Sequence, residues 1–182
     1  MNKEEIKSFT LRVSQSNPTE LVVVTYDIIL KYIEDAKKTA AKIREASSSF
    51  LGDVHTFLGT SDELIALRGD LEASCKGAVR FIADLMSALD MQYEISSSLW
   101  RLYEFAQMRI IRAQYSYSEK ELADAEDVFT ALRASFDAIS KDDRQKSVMQ
   151  NTQSVYAGLT YSKGKLDEIS IDPHQSNRGF LA

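Results

Sequence analysis

The sequence predicts an all-α fold, in detail an antiparallel four-helix bundle with an N-terminal arm, a long loop between helices 1 and 2, and a C-terminal extension. Three observations carry that prediction. The 182 residues hold only 7 Gly and 2 Pro, nine where average usage would give roughly 22. No Gly or Pro falls between Gly77 and Gly158. Apolar residues recur at spacings of three and four through four long stretches, the period of a helix with one buried face. A β-rich or α/β fold needs turn chemistry at every reversal, and the chain does not supply it.

The first helix opens at Asn17-Pro18-Thr19-Glu20: a capping residue, Pro at the first helical position and Glu three after the cap. Leu21, Val24, Ile28, Tyr32, Ala36, Ala40 and Ile43 then mark its apolar face. Ser47-Ser48-Ser49 and Gly52 end it. Residues 47 to 60, with Gly52, Gly59 and His55, read as a loop, apolar enough at Phe50, Leu51, Val54, Phe57 and Leu58 to fold back on the bundle. Thr60-Ser61-Asp62-Glu63 reads as the cap of the second helix, followed by Leu64, Leu67, Leu71, Ala78, Ile82, Leu85 and Leu89. Gly69 and Gly77 lie inside it, each costing about 1 kcal/mol against Ala, and close helix packing is the preferred reason for both. The third helix carries Ile95, Leu99, Leu102, Ala106, Ile110 and Ala113. The fourth opens at the Ser118-x-x-Glu121 box and carries Leu122, Ala125, Phe129, Leu132, Phe136 and Ile139. Short connections between the later helices make a four-helix bundle the economical arrangement. Residues 1–140 form one domain, with 1–16 as a flexible arm, and 141–182 form an extension.

Composition narrows the function classes. Lys+Arg 22 against Asp+Glu 27 gives a net charge of −5, without the basic footprint of a nucleic-acid binder. Cys75 is the only cysteine, which excludes internal disulfides, suits a reducing cytoplasm and reads as a small core residue. The N-terminus lacks the apolar core of a secretory signal. Leu21 to Ile33, the most apolar run, is too short for a membrane span and contains Asp27 and Lys31. The expected location is the cytoplasm. His55 and His174 are the only histidines, and neither falls on a predicted helix, so a bundle metal site lacks ligands. Phosphate-loop and nucleophile-elbow motifs are absent. No catalytic, cofactor-binding or metal residues are expected, and the chain reads as a non-enzyme.

The informative feature is surplus apolar surface. On the third helix Trp100, Met108, Ile111 and Tyr115 cluster opposite the predicted core stripe, with Tyr103 on the flank between. On the first helix Tyr26, Ile29, Leu30 and Ile33 form a second apolar face beside a polar strip of Glu20, Asp27, Lys31 and Glu34. Either the loop, arm or extension covers these faces, or they form a groove for a partner helix.

The motifs in order resemble a known family. Val13-Ser14-Gln15-Ser16-Asn17-Pro18-Thr19-Glu20-Leu21, then Tyr26-Asp27 and Lys31-Tyr32-Ile33, is similar to the opening of the flagellin export chaperones, the FliS family. Ile82 to Asp90, Tyr93-Glu94-Ile95, Leu99-Trp100-Arg101-Leu102-Tyr103-Glu104, Arg109, Arg112-Ala113 and Ala131-Leu132-Arg133 with Phe136 continue the likeness. It spans about residues 13 to 140. Ser8 stands where the family usually has Tyr, Ile28-Ile29 where it often has small residues, and the first connection is longer than usual.

The resemblance implies a cytoplasmic export chaperone that binds the C-terminal helical segment of flagellin, prevents premature polymerisation and supports flagellum assembly through type III secretion. An export-gate component or a regulator would be a further partner. Stripe geometry then gives Tyr26, Ile29, Ile33, Trp100, Tyr103, Met108, Ile111 and Tyr115 as groove residues, with Ile6, Phe9 and Val13 on an arm over them. The alternative is a structural or adaptor protein whose spare apolar faces form a homodimer.

Overall fold

The structure, a computed structural model, describes residues 3–48 and 54–142, with side chains described except at 48 and 54–61. All its elements are helices: α1 Lys3–Gln15, α2 Pro18–Ser48, α3 Val54–Ser87, α4 Glu94–Ser116 and α5 Glu119–Asp142. Helix α2 meets α3 and α5, and α4 meets the same two, so four helices enclose one core; α1 meets α2.

Three boundaries differ from expectation. The N-terminal arm is helical over Lys3–Gln15. Two short runs of local chemistry separate it from α2. The Ser16 hydroxyl donates to the Arg12 carbonyl at 2.6 Å. Asn17 and Glu20 then cap α2 reciprocally: Glu20 N–H donates to Asn17 Oδ1 at 2.7 Å and Asn17 N–H to Glu20 Oε2 at 3.0 Å. The expected 47–60 loop is also mostly helix. α2 runs to Ser48 and α3 begins at Val54, so Thr60-Ser61-Asp62-Glu63 lies inside α3 and does not start it. A single glycine such as Gly59 costs only about 1 kcal/mol against Ala, too little by itself to stop a long helix. What is left of the loop, 49–53, and the extension beyond 142 lie outside the described residues.

The connections near the candidate surface are short and built from side-chain turns. Between α3 and α4, Asp90 Oδ1 accepts from Gln92 N–H at 3.0 Å and its carbonyl from the Ser96 hydroxyl at 2.6 Å. Between α4 and α5, Tyr117 takes a left-handed conformation at φ 55°, ψ 27° while its N–H closes on the Ala113 carbonyl at 2.8 Å. A Tyr in that region is strained. Its ring packs against the core and lies under the Arg68 guanidinium, 5.8 Å from the ring centroid.

The core holds Tyr26, Ile29, Ile33, Ala36, Ala40 and Ile43 of α2, with Leu71, Cys75, Ala78 and Ile82 of α3. α4 adds Tyr103, Ala106, Ile110 and Ala113, and α5 adds Leu122, Ala125, Phe129 and Leu132. At Gly77 α3 packs tightly on α2: a Cβ there would lie 2.5 Å from Tyr32 Cε1. Gly69 has open space around it, so close packing explains one glycine and not the other.

Candidate partner-binding surface

The four helices around the core leave α2 with no free apolar face. Tyr26, Ile29 and Ile33, expected in a groove, are buried to within 1%, and Tyr103 is buried with them. Each such side chain gains about 1.5–3 kcal/mol from leaving water, and α2 has three neighbouring helices over which to gain it. The Tyr26 and Tyr103 hydroxyls bond each other at 2.6 Å. Phe129 packs on both rings, 5.8 Å from Tyr26 and stacked on Tyr103 at 6.2 Å, and Phe136 meets Tyr26 edge-on at 5.5 Å. Burial first, and then the mutual hydrogen bond, pushes ionisation of Tyr26 far above the tyrosine range; burial also raises Tyr103. These four residues are corrected from groove to core.

The other apolar side of α2, Val24 and Ile28, is buried too. It adjoins the polar strip, and that strip is where α1 docks. Arg12 binds Asp27 at 2.6 Å, and Lys31 binds Glu5 at 3.2 Å as well as Asp35 at 3.0 Å. Asp27 also takes Arg133 of α5 at 2.5 Å, so one carboxylate ties three helices together. Of the arm residues, Ile6 is half exposed while Phe9 and Val13 are partly buried, with the Arg12 guanidinium 5.9 Å from the Phe9 ring centroid.

Helix α4 is different. Its buried side is Ser96, Tyr103, Ala106, Ile110 and Ala113; the expected stripe holds at Ala106, Ile110 and Ala113, but Ser96 and Tyr103 take the places expected of Ile95 and Leu102, which are exposed. Two apolar lines remain outside. One comprises Trp100, Ile111 and Tyr115. At 100° per residue these fall within 60° of one another. Trp100 is 37% exposed, Tyr115 is 76% exposed, and Ile111 is partly buried. The second line, on the outward pole, is Arg101, Phe105, Met108 and Arg112, bordering a depression of about 370 Å³. Phe105 is 42% and Met108 45% exposed. Arg109 spans from the Phe105 ring, 4.8 Å from its centroid, to Glu121 at 2.9 Å and Asp124 at 3.4 Å on α5. The hydrogen bond to Glu121 above all holds its guanidinium protonated.

Thus Trp100, Met108, Ile111 and Tyr115 share one exposed helix, Ile6, Phe9 and Val13 belong to a separate helix docked on α2, and four residues are internal. Sequence reasoning missed Phe105, which lies two positions from Tyr103 and thus well away from the buried stripe. It also missed Met91 and Tyr93, both exposed in the turn before α4; no periodicity marks a turn.

Little here resembles reaction chemistry. Among the described residues no group of three His, Cys, Asp or Glu is placed to hold a metal ion. Among the described residues every buried side-chain polar atom has a partner, and Cys75 is buried, its thiol pushed up to about 11 by burial. His55 and His174 lie outside the side chains described. No described helix is long and apolar enough to cross a membrane.

No curated protein matches the chain. Residues 56–143 match the sequence model of a family described as flagellar protein FliS. That stretch takes in most of α3 and all of α4 and α5, the exposed apolar helix included. Over residues 56–143, just under half of its length, the chain is thus similar to the FliS family of flagellar proteins.

Proposed function

We propose that this chain is a non-enzymatic chaperone in the cytoplasm that holds the C-terminal helical segment of flagellin against α4, keeps it from polymerising and releases it at export. The observation that carries this is the exposure of Trp100, Met108 and Tyr115 on one helix of the stretch that matches the family. Large apolar side chains gathered on a surface mark an interaction site, and a helix laid along such a face is an established mode of recognition. The contact set consists of Trp100, Met108, Ile111 and Tyr115, with Ile6, Phe9 and Val13 of α1 as a second contact. The ring of contacts among α2, α3, α4 and α5, with short turns between α3, α4 and α5, supports the antiparallel four-helix reading.

Binding would order the client, so part of the interaction energy is spent on folding it, which favours release as well as capture. Co-expression tests this directly. Full-length flagellin is expected to co-purify with the chain, and flagellin lacking its C-terminal segment is not. Equal recovery of both would overturn the mode. A concentration-dependent dimer in sedimentation that no flagellin peptide binds or dissociates would favour the homodimer reading instead.

A further inference from the structure

The outward pole of α4 carries a pattern that goes beyond flagellin binding and does not depend on it. Arg101, Phe105, Met108 and Arg112 are spaced i, i+4, i+7 and i+11. That spacing keeps them on one stripe about 16 Å long. Two exposed apolar side chains occupy its centre and one arginine stands at each end. Arg109 beside them is committed to Glu121 and Asp124. Among the described residues Arg101 and Arg112 have no carboxylate within ion-pair distance. In a chain of net charge −5, two unpaired guanidiniums bracketing an apolar pair, against the single Glu104 carboxylate that lines the same depression, form a local inversion of sign. They also disfavour a second copy as the occupant. Laying α4 on α4 would set arginine against arginine at both ends, and like charges at an interface cost affinity.

We infer that this stripe is a docking surface for an amphipathic helix of a protein partner that carries acidic residues three turns apart on either side of an apolar pair. The apolar pair supplies contact area and the two carboxylates set register, since guanidinium–carboxylate pairing is planar and directional. The stripe runs beside the Trp100–Ile111–Tyr115 line, sharing only Met108 with the proposed flagellin contacts, so a helix bound here is read by different side chains.

The test uses the full chain and a designed helical peptide of about 20 residues, long enough to hold helix. It has Glu, Leu, Leu and Glu at i, i+4, i+7 and i+11, and a twin has Lys in place of both Glu. The Glu peptide is expected to bind about tenfold more tightly than the Lys peptide at low salt, with the gap closing as ionic strength rises. The Arg101→Glu/Arg112→Glu variant is expected to reverse the preference, and Phe105→Ala/Met108→Ala to lose both peptides. All four side chains are exposed, so unchanged thermal melting of each variant confirms that the fold persists. Equal binding of the two peptides, binding of neither, or sedimentation showing a dimer that Phe105→Glu dissociates would overturn the inference. The peptides contain no flagellin sequence, so their result stands apart from the co-purification above.

Discussion

At the scale of single residues, two glycines of one helix should respond in opposite directions to the same change. Gly69→Ala adds a methyl group where nothing lies within 4 Å and removes the backbone entropy cost, so stability should rise by about 1 kcal/mol. Gly77→Ala drives a Cβ into the Tyr32 ring. That ring is packed between the core and Phe81, so the overpacking should cost about 1–3 kcal/mol. Urea unfolding of the two variants decides it. The buried tyrosine pair gives a second prediction, about pH. Both hydroxyls ionise at higher pH folded than unfolded. Below about pH 10 both states keep the protons, and the pair's stability is fully present. Above it the unfolded chain releases protons that the folded chain retains, so stability falls by up to about 1.4 kcal/mol per pH unit for each group. Unfolding free energies measured between pH 8 and 11 should decline steeply above 10. The Tyr26→Phe/Tyr103→Phe variant should decline less. Tyr26→Phe alone leaves the Tyr103 hydroxyl buried and unpaired, a loss of about 1–3 kcal/mol near neutral pH.

At the scale of elements, Asp27 is one of two sites on α2 that dock α1 by ion pairs, the other being Lys31 with Glu5. The Asp27 carboxylate holds Arg12 of α1 and Arg133 of α5. Both arginines are more than a third exposed, so Asp27→Ala should cost only about 1 kcal/mol overall. Its effect should be local: faster amide hydrogen exchange across residues 3–15, with α4 and α5 unchanged. Legibility in the sequence also follows the elements. The capping box at Asn17–Glu20 and the one at Ser118–Glu121 mark starts that the structure keeps, because a cap is a local interaction. Thr60–Glu63 has the same look and lies inside α3, because a Ser/Thr-x-x-Glu run has no cap to make where the helix continues through it. The stripe of α4 was legible from Ala106 to Ala113 and not in its first turns. Leu102 and Tyr103 both fit a three-four rhythm. Tyr103 is the one whose ring stacks on Phe129 and whose hydroxyl meets Tyr26, 77 residues away, and neither partner is visible from local spacing. The same holds for α2, whose second apolar face looked surplus only because the number of its neighbours is a property of the whole fold.

At the scale of the molecule, the apolar face of α2 is enclosed, and α4 keeps two open lines. Burial of Tyr26, Ile29, Ile33 and Tyr103 narrows the proposed client contact to a single helix with α1 to one side. That narrowing makes the central claim open to a direct check: the affinity of the full chain for a flagellin C-terminal peptide, compared between the native chain and Trp100→Ala/Ile111→Ala. Truncating two central apolar contacts of an interface should weaken binding by at least about tenfold, with the helical fold and thermal melting preserved. An unchanged affinity in a folded double variant would contradict α4 as the flagellin-binding surface.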